Sequence, residues 1–345
     1  MQRREFLRSS IGVLASAVMA PKTARAAHAV ATRTDFTRRV LYVLGEFTQT
    51  DKAAMRSAVE AVGASSFNVL VLSFLQASAA NGKLSLTYNG NEFSSFAQEV
   101  PAMLARLRSG FGARKRILLS MGGWASAPMF DAIRSFGATG FVRQLTDEVI
   151  APLGLDGIDL DAEPTQGGLD QWIGVQREYG STLVEITNEY KRLHPTHIVT
   201  HAPISAVAAD IYAKRTVLPG LKGSLLEATR RKRGNNIDWL NVQFYEGGVV
   251  EGGDIAGYYR KCLARPLAEM SEQTGITHPL SFLTPTFEPE AKQPLQFCQQ
   301  TIAAINQRCA DLHAGKVSGV ALWDYRQIAS SIGDWSRGLE TSLHS

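Results

Sequence analysis

The chain has 345 residues, of which 45% are hydrophobic and 20% are charged, a composition typical of one large globular domain with a sizeable core. Its formal net charge of +4 originates at the N-terminus, because residues 1–26 contain five basic residues and one acidic residue. The rest of the chain has equal numbers of basic and acidic residues, so we expect no nucleic-acid partner. No apolar run beyond residue 26 is long enough to predict a membrane anchor.

The first 26 residues have the features of an export signal. A basic start that includes Arg3-Arg4-Glu5-Phe6-Leu7 precedes an apolar stretch from Ser9 to Ala20, and Ala24-Arg25-Ala26 has the small-x-small pattern of a cleavage site. The paired arginines followed by Phe-Leu resemble a bacterial twin-arginine signal, with a plain secretory signal as the alternative. We therefore predict an export signal in residues 1–26, a folded domain in residues 27–345, and a secreted or periplasmic bacterial protein.

Strand-like and helix-like segments alternate through the folded domain. The predicted strands cover residues 39–47, 67–75, 116–122, 155–164, 197–202, 237–245, 280–287 and 318–324. The predicted helices cover residues 51–62, 96–108, 140–150, 169–193, 205–213, 255–274, 294–314 and 327–339. Eight such units predict an α/β fold, a single-domain (β/α)8 TIM barrel. An open doubly wound sheet is the alternative, but no Gly-x-Gly-x-x-Gly follows the first strand.

The predicted fourth strand carries three acids on one face. Asp159, Asp161 and Glu163 alternate with apolar residues at the period of a β-strand. Both faces of a parallel strand covered by helices are buried, so the three carboxyl groups point into a closed interior. Burying them there costs free energy if they are ionised and unpaired. Because stability alone does not explain this placement, the acids are candidates for catalysis.

The order of the acids along the strand predicts their roles. Active groups lie at the carboxyl ends of barrel strands, so Glu163 is nearest the mouth, with Asp161 about 6–7 Å below it and Asp159 deeper. We expect such close carboxyl groups to share a proton, which keeps Glu163 protonated near neutral pH as a general acid. A metal site with three oxygen ligands is the alternative. No histidine ligand pattern accompanies the acids, so we expect no metal and no cofactor.

Four motifs fall on the predicted strands three, four, six and eight. They are Ser120-Met121-Gly122-Gly123, Asp156-Gly157-Ile158-Asp159-Leu160-Asp161-Ala162-Glu163, Gln243-Phe244-Tyr245 and Trp323. Together they resemble family 18 of the glycoside hydrolases, which contains chitinases and related endo-β-N-acetylglucosaminidases. The strand-four segment matches the family signature Asp-Gly-x-Asp-x-Asp-x-Glu at every fixed position. The strand-six segment matches the Gln-x-Tyr variant of plant-type and many bacterial members.

The resemblance implies a retaining, substrate-assisted mechanism without a separate nucleophile. It implies that Glu163 protonates the glycosidic oxygen, that Asp161 stabilises the oxazolinium formed by the sugar's own N-acetyl group, and that Asp159 tunes Asp161. Further implied contacts are a hydroxyl donated by Tyr245 to the acetamido carbonyl and an apolar floor under the sugar. The implied substrate-binding residues are Gln243, Trp323, Ser120, Gly122 and Gly123.

Several other residues have more than one interpretation. Trp124 follows the strand-three motif, where a tryptophan either stacks on a sugar or caps the core. Glu46 ends the first strand and is a weaker candidate for a substrate contact, and His201 is predicted in the core or behind the site. The three cysteines match no metal pattern. Buried thiols and one disulfide from the first to either of the others are the alternatives for Cys262, Cys298 and Cys309.

The resemblance also implies a substrate and a groove shape. Some family members carry an α+β insertion between strands seven and eight, whereas the corresponding residues 288–317 suffice for one helix and its loops. We therefore expect no insertion, an open groove and endo cleavage of an N-acetylglucosamine-containing polysaccharide or glycan by a monomer. The first expectation is a chitinase. The alternatives are an endo-β-N-acetylglucosaminidase acting on N-linked glycan cores and a non-catalytic chitin-binding lectin.

Overall fold

A ring of parallel strands closes on itself in the structure, which is a computed structural model. The residues that it describes all belong to one compact unit, Thr37–Ser345. They are residues 37–44, 52–80, 82–92, 100–111, 115–166, 168–213, 218, 220–221, 223–232, 234–244, 255–265, 280–285, 294–312 and 317–344. The predicted export signal lies outside these ranges.

The described part of the chain contains ten strands. They are β1 (Arg38–Leu44), β2 (Val69–Ala80), β3 (Lys83–Tyr88), β4 (Asn91–Glu92), β5 (Arg116–Gly123), β6 (Gly157–Ala162), β7 (Ile198–His201), β8 (Trp239–Gln243), β9 (Leu280–Pro285) and β10 (Val317–Trp323). Eight of them pair in parallel in the order β1-β2-β5-β6-β7-β8-β9-β10, and β10 pairs back with β1. This closure confirms the predicted barrel, with β5, β6, β8 and β10 as its third, fourth, sixth and eighth strands.

Helices alternate with the barrel strands. They are α1 (Lys52–Ala64), α2 (Val100–Phe111), α3 (Ala127–Phe136), α4 (Ala138–Leu145), α5 (Leu169–Leu193), α6 (Ser205–Val207), α7 (Leu225–Ala228), α8 (Ile255–Tyr258), α9 (Pro294–Arg308), α10 (Tyr325–Ile328) and α11 (Ile332–His344). π-Helical turns extend α4, α6 and α8. Between β9 and β10 the described residues form α9, in agreement with the expected lack of an α+β insertion. Within the described ranges, no helix combines the length and apolarity needed to cross a membrane.

The barrel strands divide their apolar side chains between two clusters. Apolar side chains on one face of β1, β2, β5, β6, β7, β8 and β10 pack against the helices in a large outer core, and side chains on the alternate face fill the barrel interior. The interior cluster lies near the N-terminal ends of the strands and consists of Val40, Tyr42, Val69, Val71, Leu118, Trp239 and Ala321. The interior toward the C-terminal ends is thus left to polar side chains.

Two features differ from the sequence prediction. Residues 76–92, which fall between a predicted strand and a predicted helix, continue β2 to Ala80 and return as the antiparallel β3. Alternate β3 side chains are buried, which keeps the hairpin packed on the core. A turn at Asn89-Gly90 joins β3 to β4. Helix α3 is absent from the predicted elements, and Gly137, with a φ of 95°, separates it from α4.

Candidate active site

The acids of β6 form a graded series from the barrel interior to its mouth. Every residue of β6 is buried, and the apolar residues between the acids belong to the outer core, so the acids point inward. Asp159 is fully buried, Asp161 is 4% exposed, and Glu163, one residue beyond the strand, is half-buried. The strand alternation predicted this order.

Side chains from four strands hold the carboxylate of Asp159. The Tyr42 hydroxyl on β1 donates a hydrogen bond of 3.0 Å, and the Ser120 hydroxyl on β5 donates one of 2.7 Å, both to Oδ2. Asn241 Nδ2 on β8 donates to Oδ1 at 3.2 Å, and the Thr200 hydroxyl on β7 donates to the same oxygen. These four donors fix the carboxylate at the floor of the polar interior and favour its charged form.

The carboxyl groups of Asp161 and Glu163 lie side by side. A hydrogen bond from Glu163 is among the causes that raise the pKa of Asp161, and such a bond requires a proton on one of the two groups. Gln243 Nε2 on β8 lies 3.0 Å from Asp161 Oδ1 and 3.3 Å from Glu163 Oε1, and it also donates to the Ala202 carbonyl oxygen at 2.7 Å. The amide of Gln243 therefore ties the acid pair to the neighbouring strands.

Burial and like charge determine the protonation of the two aspartates. Burial raises the pKa of Asp161 well above its usual value, and the negative charges of Glu163 and Asp159 raise it further, whereas Gln243 lowers it. Burial also raises the pKa of Asp159, but the hydrogen bonds from its four donors oppose that effect. Asp161 therefore stays protonated to higher pH than an exposed aspartate, above an Asp159 carboxyl group that is held by four donors.

The two glycines of the strand-three motif allow close packing around the acids. A β-carbon at Gly122 would lie 1.9 Å from the Asp161 carbonyl oxygen, and one at Gly123 would lie 2.6 Å from the ring of Phe74. Their φ angles of 114° and 80° also favour glycine. Glycine at both positions therefore lets the end of β5 approach β6 and the aromatic side of the mouth.

Aromatic rings line the mouth beside the acids. The half-buried Trp323 ring stacks on Phe74 at 5.4 Å between centroids and meets the edge of Tyr42 at 5.7 Å. Trp124, directly after β5, is 50% exposed. This exposure contradicts the interpretation of Trp124 as a core cap and leaves its ring accessible at the mouth.

The remaining candidates have separate outcomes. Tyr245 and Glu46 fall outside the described residues. His201 is buried between the Thr187 and Tyr212 hydroxyls, each at 2.8 Å, and burial lowers its pKa to about 3. The prediction that His201 lies in the core is therefore confirmed. Cys298 and Cys309 are buried thiols, so neither disulfide alternative is formed.

Three residues around Asp159 were not among the predicted site residues: Tyr42, Thr200 and Asn241. Each lies on the inward face of its strand, and Asn241 is two residues before Gln243. The sequence signal that could have identified these three residues is therefore the presence of polar residues at every second position, on the inward faces of the strands. Metal-binding clusters of three His, Cys, Asp or Glu side chains do not occur within the described ranges. The oxygens of the acids are instead directed at hydrogen-bond donors and at each other.

Comparisons with known proteins agree with the barrel fold. The family model described as glycosyl hydrolases family 18 matches residues 38–299. A GH18 chitinase from Pseudoalteromonas aurantia is 17% identical, with a TM-score of 0.59 over 88% of this chain and 99% of that chain. The C-terminal domain of Legionella pneumophila ChiA is 16% identical, with a TM-score of 0.58 over 89% and 98%.

The same fold also occurs in an inhibitor protein. A xylanase-α-amylase inhibitor protein, XAIP-I, in complex with trehalose is 18% identical, with a TM-score of 0.52 over 88% of this chain and 98% of that chain. At such identities the structural likenesses establish the fold alone. No protein of curated function matches the sequence significantly.

Proposed function

The chain belongs to family 18 of the glycosyl hydrolases, and from this membership we propose that it is a retaining glycosidase that hydrolyses β-1,4 bonds of N-acetylglucosamine polymers. Chitin and chitooligosaccharides are the proposed substrates. One observation carries the proposal: Asp161 and Glu163 lie side by side at the mouth of the barrel, both within hydrogen-bond distance of Gln243 Nε2. A glycosidase needs a carboxyl group that holds a proton near neutral pH, and this pair supplies one.

The contact between the two carboxyl groups supports substrate assistance. In the two-carboxylate retaining scheme the acid and the nucleophile flank the scissile bond about 5–5.5 Å apart. Here the two groups hydrogen-bond to each other, an arrangement that leaves no substrate bond between them. The nucleophile is therefore assigned to the substrate, whose N-acetyl oxygen attacks the anomeric carbon.

In the proposed reaction Glu163 donates its proton to the glycosidic oxygen as the bond to the leaving group breaks. Asp161 stabilises the positive oxazolinium that results, and Asp159 keeps the proton of the resting state on the pair above it. Gln243 and Tyr245 hold the acetamido group, and Trp323 forms the floor of the sugar site. Water then opens the oxazolinium, with Glu163 as the base, and the configuration is retained.

The single helix described between β9 and β10 supports an open groove and endo cleavage. We further propose that residues 1–26 direct the protein out of the cytoplasm by the twin-arginine route and that the monomer acts without a cofactor. A second candidate is a sugar-binding protein without turnover, because a protein named as an inhibitor, bound to trehalose, shares the fold. The presence of Glu163 and its contact with Asp161 favour the enzyme.

A product assay tests these proposals together. The purified protein is incubated with chitooligosaccharides, with a high-mannose glycoprotein, and with oligomers that lack N-acetyl groups. Release of chitooligosaccharide fragments in the β configuration, without cleavage of the deacetylated oligomers, is the expected result. Release of the glycan instead would indicate an endo-β-N-acetylglucosaminidase, and binding without turnover would indicate the sugar-binding candidate. Cleavage of the deacetylated oligomers would contradict the substrate-assisted step.

A further inference from the structure

We propose that Ser126 is a positioning residue that fixes the main chain of Glu163 and, through it, the direction of the acid's carboxyl group. The inference rests on the proposed function, in which Glu163 is the general acid. The parallel pairing of β5 with β6 ends at Gly123 and Ala162. Glu163 is therefore the first residue that the strand ladder no longer holds.

Ser126 contacts both polar groups of the Glu163 main chain. The Glu163 N–H donates to Ser126 Oγ at 2.9 Å, and the Ser126 N–H donates to the Glu163 carbonyl oxygen at 3.2 Å. The Ala125 N–H continues this pairing by donating to the Pro164 carbonyl oxygen at 3.1 Å. Ser126 is fully buried, so water cannot replace its hydroxyl as the acceptor for the Glu163 N–H.

The hydroxyl of Ser126 is diverted from the usual role of a serine at its position. Ser126 precedes α3 as its N-cap residue, where a serine side chain ordinarily accepts a hydrogen bond from the first turn of the helix. Here its side chain makes no such bond and is directed at Glu163. Gly122 permits the close approach of β5 to β6 beside Ser126, because a β-carbon there would lie 1.9 Å from the Asp161 carbonyl oxygen.

A separate contact holds the preceding residue. Gln176 Nε2 on α5 donates to the Ala162 carbonyl oxygen at 2.8 Å, so the end of β6 stays fixed without Ser126. Loss of the Ser126 hydroxyl therefore loosens Glu163 rather than the barrel. An error of about 1 Å in the placement of a catalytic group costs about 100-fold in rate, which makes the acid sensitive to such loosening.

The test compares Ser126→Ala with Ser126→Thr and with Ser135→Ala in the full chain. Ser135 lies on the same helix, is exposed, and donates its hydroxyl to the Asp131 carbonyl oxygen one turn earlier at 2.9 Å. We expect Ser126→Ala to lower kcat by about 10–100-fold with KM within about 3-fold, whereas Ser126→Thr and Ser135→Ala retain kcat.

Hydrogen exchange of the segment around Glu163 gives a readout that needs no turnover. The wild-type segment should exchange as slowly as β6, and Ser126→Ala should exchange at least about 10-fold faster. The proposal would be overturned by fast exchange in the wild type or by unchanged exchange in Ser126→Ala. It would also be overturned by a kcat of Ser126→Ala within about 2-fold of wild type, or by a Ser126→Thr variant as impaired as Ser126→Ala. A wild type without turnover would reject the proposed function, and the exchange rates would still decide the role of Ser126.

Discussion

The two ends of the barrel both bury charged groups, but they arrange them in opposite ways. At the C-terminal end Asp161 is buried beside Glu163 and close to Asp159, so burial raises its pKa and the like charges raise it further. At the N-terminal end Lys191 Nζ lies 2.6 Å from Asp238 Oδ2, so opposite charges are paired. Opposite charges offset the free-energy cost of burying each other, whereas grouped like charges add to that cost. The difference separates the end proposed to carry out the chemistry from the end that holds the barrel together.

The N-terminal end of the barrel repeats one type of hydrogen bond between a side chain and a neighbouring backbone. Directly before β2, β6 and β8, a side-chain oxygen accepts the backbone N–H of the neighbouring strand at 2.8 or 2.9 Å. The pairs are Asn68 with Arg39, Asp156 with Ile117, and Asp238 with Val199. Asp156, the first acid of the strand-four motif, therefore belongs to the structural end. The segment from Asp156 to Glu163 thus contributes side chains to both ends of the barrel.

The largest expected effect at the mouth comes from Glu163→Gln. The amide keeps the shape of the side chain but cannot donate the proton, so kcat should fall by about 10²–10⁴-fold. Binding of chitooligosaccharides, measured by calorimetry, should remain within a few-fold of wild type. Unchanged turnover would show that Glu163 is not the acid. The assignment of chemistry to the C-terminal end of the barrel would then be wrong.

At the opposite end Asp238→Ala tests the structural role. The change leaves the buried Lys191 ammonium without this partner and the Val199 N–H without its acceptor, so the free energy of unfolding should fall by about 3–5 kcal/mol. Denaturant unfolding measures this loss. The kcat of the folded protein should stay near the wild-type value.

Asp131→Ala is the matched control for Asp238→Ala. Asp131 pairs with Arg134 on the surface, where both side chains are about half exposed, and such pairs contribute less than about 1 kcal/mol. Equal losses in the two variants would show that the buried pair is not special.

Asp161→Asn should lower activity and raise stability. Its pKa is raised in the fold, so ionisation costs the folded protein stability as the pH rises above the unfolded value of about 3.9. A neutral amide removes that cost, and Tm at pH 7 should rise by about 2–4 °C, while kcat falls by about 10²–10³-fold. The gain in Tm should shrink at acidic pH, where the wild type keeps its proton. A lower Tm of Asp161→Asn than of the wild type at pH 7 would contradict the stability cost assigned to ionising Asp161 in the folded protein.

The sequence allowed the acid series to be predicted because a single strand sets it. Alternation along β6 places Asp159, Asp161 and Glu163 on one face regardless of the rest of the fold. The donors to Asp159 come from four different strands, and only the closed barrel brings them together. Tyr42 and Asn241 therefore required the structure, although their inward positions could have been inferred.

Sequence rules for single helices and loops gave the wrong prediction where a long-range contact replaces a local one. A serine before α3 predicts a helix cap, yet the Ser126 hydroxyl faces Glu163 because Gly122 lets the two loops meet. The β2–β3 hairpin was missed for a similar reason. Its small and polar residues are typical of a loop, and the burial of alternate β3 side chains on the core decides otherwise.

The smallest expected effect concerns the stacked histidines at the structural end. The rings of His194 and His197 lie 4.5 Å apart, with His194 bonded to the Thr146 hydroxyl and His197 to the Tyr190 hydroxyl. Burial lowers the pKa of both, and for His197 the charges of His194 and Lys191 lower it further while Asp156 opposes them.

A lowered histidine pKa makes stability depend on acidity. The unfolded chain takes up protons below about pH 6.5 while the folded protein resists them, so stability is lost as the pH falls through that value. The double variant His194→Gln/His197→Gln should therefore lose less stability than the wild type between about pH 7.5 and pH 5.5, by about 0.2–0.5 M in the urea midpoint. Identical pH dependence in the two proteins would show that the pair does not sense acidity, and the structural end would then owe its stability to the ion pairs and backbone contacts alone.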